Sequence, residues 1–267
     1  MSKKISQRKH WDDFWRRDRR LDEIYDNGGR ILEEINRRMD VSGKIVMEVG
    51  AATARDSAAL AAEGATAVAL DYSPEALKLA RKAAEDADAP LLLVCGDAFA
   101  LPFREGSFDL VFHQGVLEHF REPLPLLKEN VRVLREGGEV LVDVPQTCHV
   151  YTVIKKILIA MDAWFAGWET QFTPGGLSRL LKKAGFQPVY TYGRFFSPTL
   201  AYRIFRELLL KIGWKLPMYP VLVPSLHRLR GMLRKAVERS FLGPRLGCVI
   251  GTFAKKQSKK DDETPGS

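Results

Sequence analysis

The stretch from Lys44 to Asp56, KIVMEVGAATARD, constrains this chain more than any other. Ile45 to Val49 is a short, mostly apolar run of β-branched character, suited to a strand buried on both faces. It carries an acid, Glu48, and ends at Gly50, where backbone can approach a ligand with no Cβ in the way. Thr53 and Asp56 are spaced like a capping box and predict a helix start. A strand, a tight turn of small residues and a helix together aim free N–H groups and a helix N-terminus at whatever lies in the turn. The turn is not G-x-G-x-x-G, because Ala52 and Arg55 stand where later glycines of a dinucleotide fingerprint would be.

The spacing downstream gives the turn its meaning. Val68–Asp71 reads as a second strand ending in an acid, Leu91–Asp97 as a third, and Phe108–His113 as a fourth that runs into Gln114–His119. Gly138–Val144 reads as a fifth strand, Pro188–Tyr192 as a sixth and Cys248–Ala254 as a seventh. Between them lie helical patterns: Ser57–Glu63, a stretch opened by Ser73-Pro74-Glu75, Leu124–Leu134, and a helix capped by Thr173 with Pro174 in its first turn.

Over residues 44–193 the chain resembles the class I S-adenosylmethionine-dependent methyltransferases. The likeness rests on spaced pieces: EVGAATA, LDYSPEAL, GDAxxLPF, SFDLV, VLEHF and LREGG. It implies an α/β fold: a Rossmann-like, seven-stranded, mostly parallel sheet with helices on both faces and the last strand antiparallel. It implies S-adenosyl-L-methionine as cofactor, bound by Glu48, Gly50 and Ala52, by Asp71 and Tyr72, by Asp97 and Ala98, and by His113. Asp71 is placed to accept from vicinal ribose hydroxyls, since Ser73 already supplies the cap of the next helix. Asp97 and the Ala98 N–H match the family's adenine-binding positions, although an Asp in a turn is common on its own. The family's D/E-x-G-x-G-x-G is here Glu48-Val-Gly50-Ala-Ala52-Thr-Ala54, and alanine adds only a methyl group.

His119 follows the fourth strand, where ligands of open α/β sheets collect, and it is the candidate proton acceptor. The competing account makes Leu117-Glu118-His119 an ordinary first helical turn. Some O-methyltransferases of quinone biosynthesis hold a divalent metal with an acid three residues before the Glu-His pair; Gly115 occupies that place, so no metal is expected.

Val150, Val153, Ile154, Ile157, Leu158, Met161, Trp164, Phe165 and Trp168 recur at helical spacing, with Lys155, Lys156 and Asp162 off that face. The stretch lies where the resembled family often places an acceptor lid, and an apolar lid implies a small, lipophilic acceptor; packing on the body of the domain is the alternative. Before the core, residues 8–39 read as charged helices carrying Trp11, Phe14, Trp15, Leu21, Ile24 and Tyr25, broken near Asp26–Gly29. They either cap the sheet or, as in the resembled family, close over the cofactor.

Charge is distributed unevenly. Residues 200–246 carry ten basic and two acidic side chains, a net of +8, equal to the net charge of the whole chain. There, Leu226, Leu229, Leu233 and Val237 oppose Arg228, Arg230, Arg234, Lys235 and Arg239 on one helix. Aromatics interleaved with basic residues would suit nucleic acid; an apolar face separate from a basic one suits an anionic membrane surface better, or packs its apolar side inward. Nucleic acid is therefore the disfavoured partner. The expected division is a helical cap (1–43), the core (44–193), a basic helical insertion (194–246), a final strand (247–255) and a disordered tail (256–267). Cys95, Cys148 and Cys248 read as reduced core thiols of a cytoplasmic protein, and no run suits a signal peptide or membrane span, which leaves a soluble or peripheral chain. Oligomeric state is not encoded in any of these patterns.

Overall fold

The computed structural model describes residues 7–17, 29–162, 164, 166–195, 199–217, 220 and 224–258. Leu21, Ile24, Tyr25, Phe165 and residues 259–267 lie outside them. Seven strands form one sheet: β1 (Ile45–Val49), β2 (Thr66–Asp71), β3 (Leu91–Cys95), β4 (Phe108–Gln114), β5 (Leu134–Pro145), β6 (Phe186–Arg194) and β7 (Val249–Lys256). Their order is β3-β2-β1-β4-β5-β7-β6. β1 to β5 pair in parallel, and β7 runs antiparallel to both β5 and β6. The carboxyl ends of β1 to β5 therefore lie on one edge, and β6, parallel to them through β7, ends there too.

One face of the sheet packs on α2 (Arg30–Arg38), α3 (Arg55–Ala62) and α4 (Pro74–Asp86), through Ile31, Ile35, Leu60 and a run of alanines. The other packs on α5 (Leu124–Val133) and α7 (Pro174–Ala184), through Leu126, Leu127, Leu177 and Leu181. The central strands are buried on both faces, and this is why their sequences read as continuous apolar runs. Ser73 and Thr173 cap α4 and α7 as expected, each accepting from the N–H three residues on. Thr53 does not cap α3: Ala54 takes the N-cap position in the left-handed region and no side chain caps it. β5 begins at Leu134, ahead of the expected start at Gly138.

α1 (Arg8–Arg17) lies against α4, with Trp15 buried on Ala76. The chain between β5 and α7 forms α6 (Val150–Ala160). Between β6 and β7 come α8 (Leu200–Lys211), α9 (Pro224–Arg239) and the short α10 (Gly243–Leu246). α9 is tied to the core by the buried Arg194 on β6, which pairs with Glu238 at 3.0 Å, with Glu33 at 3.0 Å and with Glu34 of α2. Cys248 is buried, but Cys95 and Cys148 are exposed, against the expectation of three core thiols.

Candidate active site

The carboxyl ends of β1 to β4 open into a cleft of about 790 Å³, within the range of small-molecule sites. The turn after β1 forms its floor. Gly50 adopts φ +65°, and a Cβ there would come within 2.7 Å of Val116 Cγ2, so glycine is favoured on both counts. Ala52 and Ala54 both sit at φ 51°, the left-handed region that glycine occupies without penalty. The turn thus keeps the glycine conformation without the glycines, held by the Ala54 N–H donating to the Ala51 carbonyl at 2.6 Å.

Glu48 is buried beneath this turn, and its Oε2 accepts from the Ser57 hydroxyl at 2.6 Å and the Ser57 N–H at 3.3 Å. Burial, reinforced by the nearby Asp56 charge, pushes its carboxyl well above the usual range. Asp71 is not free of local hydrogen bonds, as the capping argument supposed. Its Oδ2 accepts from the Ala52 N–H at 3.0 Å and its Oδ1 from the Ser73 N–H at 2.9 Å, so it also straps the glycine-like turn to β2. Burial raises its pKa and these N–H groups oppose the rise. A carboxylate has about four acceptor sites, so both roles fit one side chain. Tyr72 lines the cleft beside it.

Asp97 and Ala98 line the cleft at its β3 end. Asp97 is exposed and its Oδ1 accepts from the Phe99 N–H at 2.9 Å, closing a local turn. His113 is a correction. It is fully buried within β4, is not among the residues lining the cleft, and neither ring nitrogen has a protein hydrogen-bond partner. Burial depresses its pKa to about 3, so it is a neutral core side chain. The strand alternation turns Gln114, and not His113, towards the ligand space.

His119 lines the cleft at the end of a 3₁₀ turn, Leu117–His119. Its pKa falls to about 4, chiefly through burial, with Glu169 opposing the fall. The imidazole is therefore neutral at physiological pH and open to a proton, though a weak base. Trp11 of α1 meets its ring edge-on at 5.1 Å, and Trp11 and Trp15 both wall the cleft. Sequence periodicity marked these tryptophans only as an apolar face; nothing in the pattern says which side of a helix covers a ligand.

Behind His119 lies a buried polar cluster that the sequence reading missed. Lys155 of α6 pairs with Glu169 at 2.5 Å, and the Trp164 Nε1–H donates to the other Glu169 oxygen at 2.6 Å. Glu118, buried nearby, has its pKa raised to about 8 by burial and by Glu169. A Cβ at Gly115 would stand 3.5 Å from Glu118 Oε1, so the glycine occupies ground beside that carboxyl. α6 lays its apolar face neither on the body of the domain nor on the cleft, the two places expected for it. Thr152 and Lys155 face inward, while Val150, Val153, Ile154, Ile157 and Met161 face out.

Residues 47–142 match the methyltransferase domain family. The chain carries a class I S-adenosylmethionine-dependent methyltransferase domain. The demethylmenaquinone methyltransferase of Renibacterium salmoninarum is 38% identical over 102 residues, 38% of this chain and 41% of that protein. The ubiquinone biosynthesis O-methyltransferase of Thiobacillus denitrificans is 27% identical over 183 residues, 65% of this chain and 78% of its own. The chain thus spans about two fifths of the first of these relatives. Among solved structures, a methyltransferase from Thermotoga maritima superposes with a TM-score of 0.64 at 17% identity, covering 93% of this chain and 99% of its own. Magnesium protoporphyrin IX methyltransferase from Synechocystis, solved with bound S-adenosylhomocysteine, gives a TM-score of 0.54 at 16% identity over 85% and 80% of the two chains. At these identities the structural likeness shows the fold.

Proposed function

We propose that the chain transfers a methyl group from S-adenosylmethionine to a small, lipophilic acceptor. The observation that carries the reading is the row Glu48–Gly50, Asp71 and Asp97–Ala98 along one cleft, on three neighbouring strand ends. The row fits the cofactor part by part. The glycine-like turn, where a Cβ at Gly50 would crowd Val116, faces the methionyl end; Asp71 takes the ribose hydroxyls; Asp97 and the Ala98 N–H take the adenine. When bound, the cofactor supplies an electrophilic methyl on a sulfonium that is its own leaving group. The protein's residues then need to align the acceptor, exclude water and hold a proton. Trp11 and Trp15 exclude water on one side, and His119 stands at the same end as a neutral proton acceptor. In this reading α1 caps the cofactor and 44–193 with 247–255 make the catalytic core. The names of the relatives, demethylmenaquinone and ubiquinone biosynthesis methyltransferases, favour a quinone-like acceptor.

The insertion at 194–246 favours work at an anionic membrane surface. Leu229 and Leu233 are exposed together with Arg228, Arg230 and Arg239, against the account in which the apolar side packs on the core. Among the described residues no helix is long and apolar enough to cross a membrane, so association would be peripheral. The enzymatic reading is tested by turnover of methyl-labelled donor with a quinol acceptor. Wild type should transfer label, and His119→Ala should bind donor normally but react about 10²–10⁴ times more slowly. Donor binding with no transfer to any quinol or phenol would overturn it.

A further inference from the structure

We propose that α6 is the membrane-inserting edge of the molecule, and that it and the basic insertion form one lipid-facing surface around the mouth of the active site. The inference rests on the peripheral reading above and adds to it the element that enters the lipid. The helix is inside out. Val150, Val153, Ile157 and Met161 are 71%, 56%, 55% and 69% exposed, while Lys155 is 2% exposed and neutralised by Glu169. A water-facing helix would place these side chains the other way round, and contiguous exposed apolar surface marks an interaction site.

Topology says where this face lies. α6 follows the carboxyl end of β5, and Pro145 there pairs with Val249 at the start of β7, which pairs in turn with Arg194 at the end of β6. The start of α6, the end of α9 and α10 therefore meet on the edge of the sheet that holds the cleft. The side chains join them: His149 Nε2 lies 3.3 Å from Cys248 Sγ, and the Gln146 amide donates to the Arg245 carbonyl at 2.8 Å. Next to this junction Phe241 is 74% exposed, and Leu242 and Leu246 continue the apolar surface towards α9.

Charge selects the occupant. α6 contains two lysines and no acid, and the single acid of α9, Glu238, is buried against Arg194. A second copy of this surface would bring basic side chains against basic ones. An anionic bilayer meets both features, since its headgroups attract the exposed arginines and its acyl boundary takes an apolar helix face to about 5–10 Å depth. Such a pose puts the cleft edge beside the lipid from which a lipophilic acceptor comes.

The test is co-sedimentation of the full chain with vesicles of equal parts phosphatidylglycerol and phosphatidylcholine, across a salt series. Three proteins are compared: wild type, Val153→Ser/Ile157→Ser, and Arg228→Gln/Arg230→Gln. The serine positions are exposed, so unchanged melting temperature and S-adenosylhomocysteine binding confirm intact folding. The serine variant should bind about tenfold more weakly at every salt concentration, with the salt dependence of wild type retained. The glutamine variant should lose binding mainly at low salt, with a flatter salt dependence. Wild-type-like binding by the serine variant, with loss in the glutamine variant, overturns the role of α6 and leaves the peripheral reading standing. Absence of vesicle binding by wild type overturns both. A concentration-dependent dimer in sedimentation velocity that the serine variant abolishes would overturn the lipid assignment in favour of self-association.

Discussion

The turn after β1 and the helix after β5 obey opposite rules. At the turn, the unusual features are met by partners inside the site: Asp71 straps the left-handed Ala52, the Ala54 N–H closes on Ala51, and Ser57 donates to the buried Glu48. At α6 the polar side chain is buried and paired with Glu169, and the apolar side chains are left outside. The first is built to hold a ligand inside the protein. The second is built to be completed by something beyond it. The difference teaches that an apolar face read from periodicity has no sign. Spacing shows that one side of a helix is apolar, and the partner of that side decides whether it is core or surface.

The sharpest way to break this contrast is at the buried pair. Lys155→Met should cost about 3–5 kcal/mol, because it strands the Glu169 carboxylate in the interior. Adding Glu169→Gln should restore much of that loss in chemical denaturation. If Lys155→Met costs under about 1 kcal/mol, α6 is not clamped as described. Gly50→Ala tests the other region. The added Cβ meets Val116 Cγ2 at 2.7 Å and the residue must keep φ +65°, so stability should fall by about 1–3 kcal/mol. Binding of S-adenosylhomocysteine should be lost along with it; retained affinity would mean that the turn does not approach the donor.

A smaller effect comes from His113. Its pKa of about 3 in the folded chain lies below its ordinary 6.5, so below pH 6.5 the unfolded chain takes up a proton that the folded chain refuses. Its contribution is whole above pH 6.5 and is lost as pH falls towards 3, at about 1.4 kcal/mol per unit. Glu118 runs the other way, its contribution complete below 4.5 and lost as pH rises through about 8. Comparing wild type with His113→Leu isolates the histidine: the stability difference should shift in favour of the variant by about 1 kcal/mol between pH 6 and 5. No shift would mean that the imidazole is protonated in the fold.

The strand ends and their acids were legible in the sequence because buried parallel strands leave continuous apolar runs, and Glu48, Asp71 and Asp97 stand out at their ends. The role of Asp71 as a strap was not legible, since it depends on the Ala52 N–H, nineteen residues away in the chain. His113 was misplaced because strand alternation near a carboxyl end decides which neighbour faces the cleft, and Gln114 won. Glu169 and Lys155 gave no local signal, as their pairing is made only when α6 folds back over Glu118. The Ala52 and Ala54 departures add only a methyl group each, and the turn keeps its left-handed conformation.

The measurement that bears most directly on the account is calorimetric titration of wild type and Asp71→Ala with S-adenosylhomocysteine. The variant should bind more weakly by about 1.5–3 kcal/mol, the loss expected for hydrogen bonds to a charged group. Unchanged affinity in a folded variant would contradict the placement of the donor in this cleft.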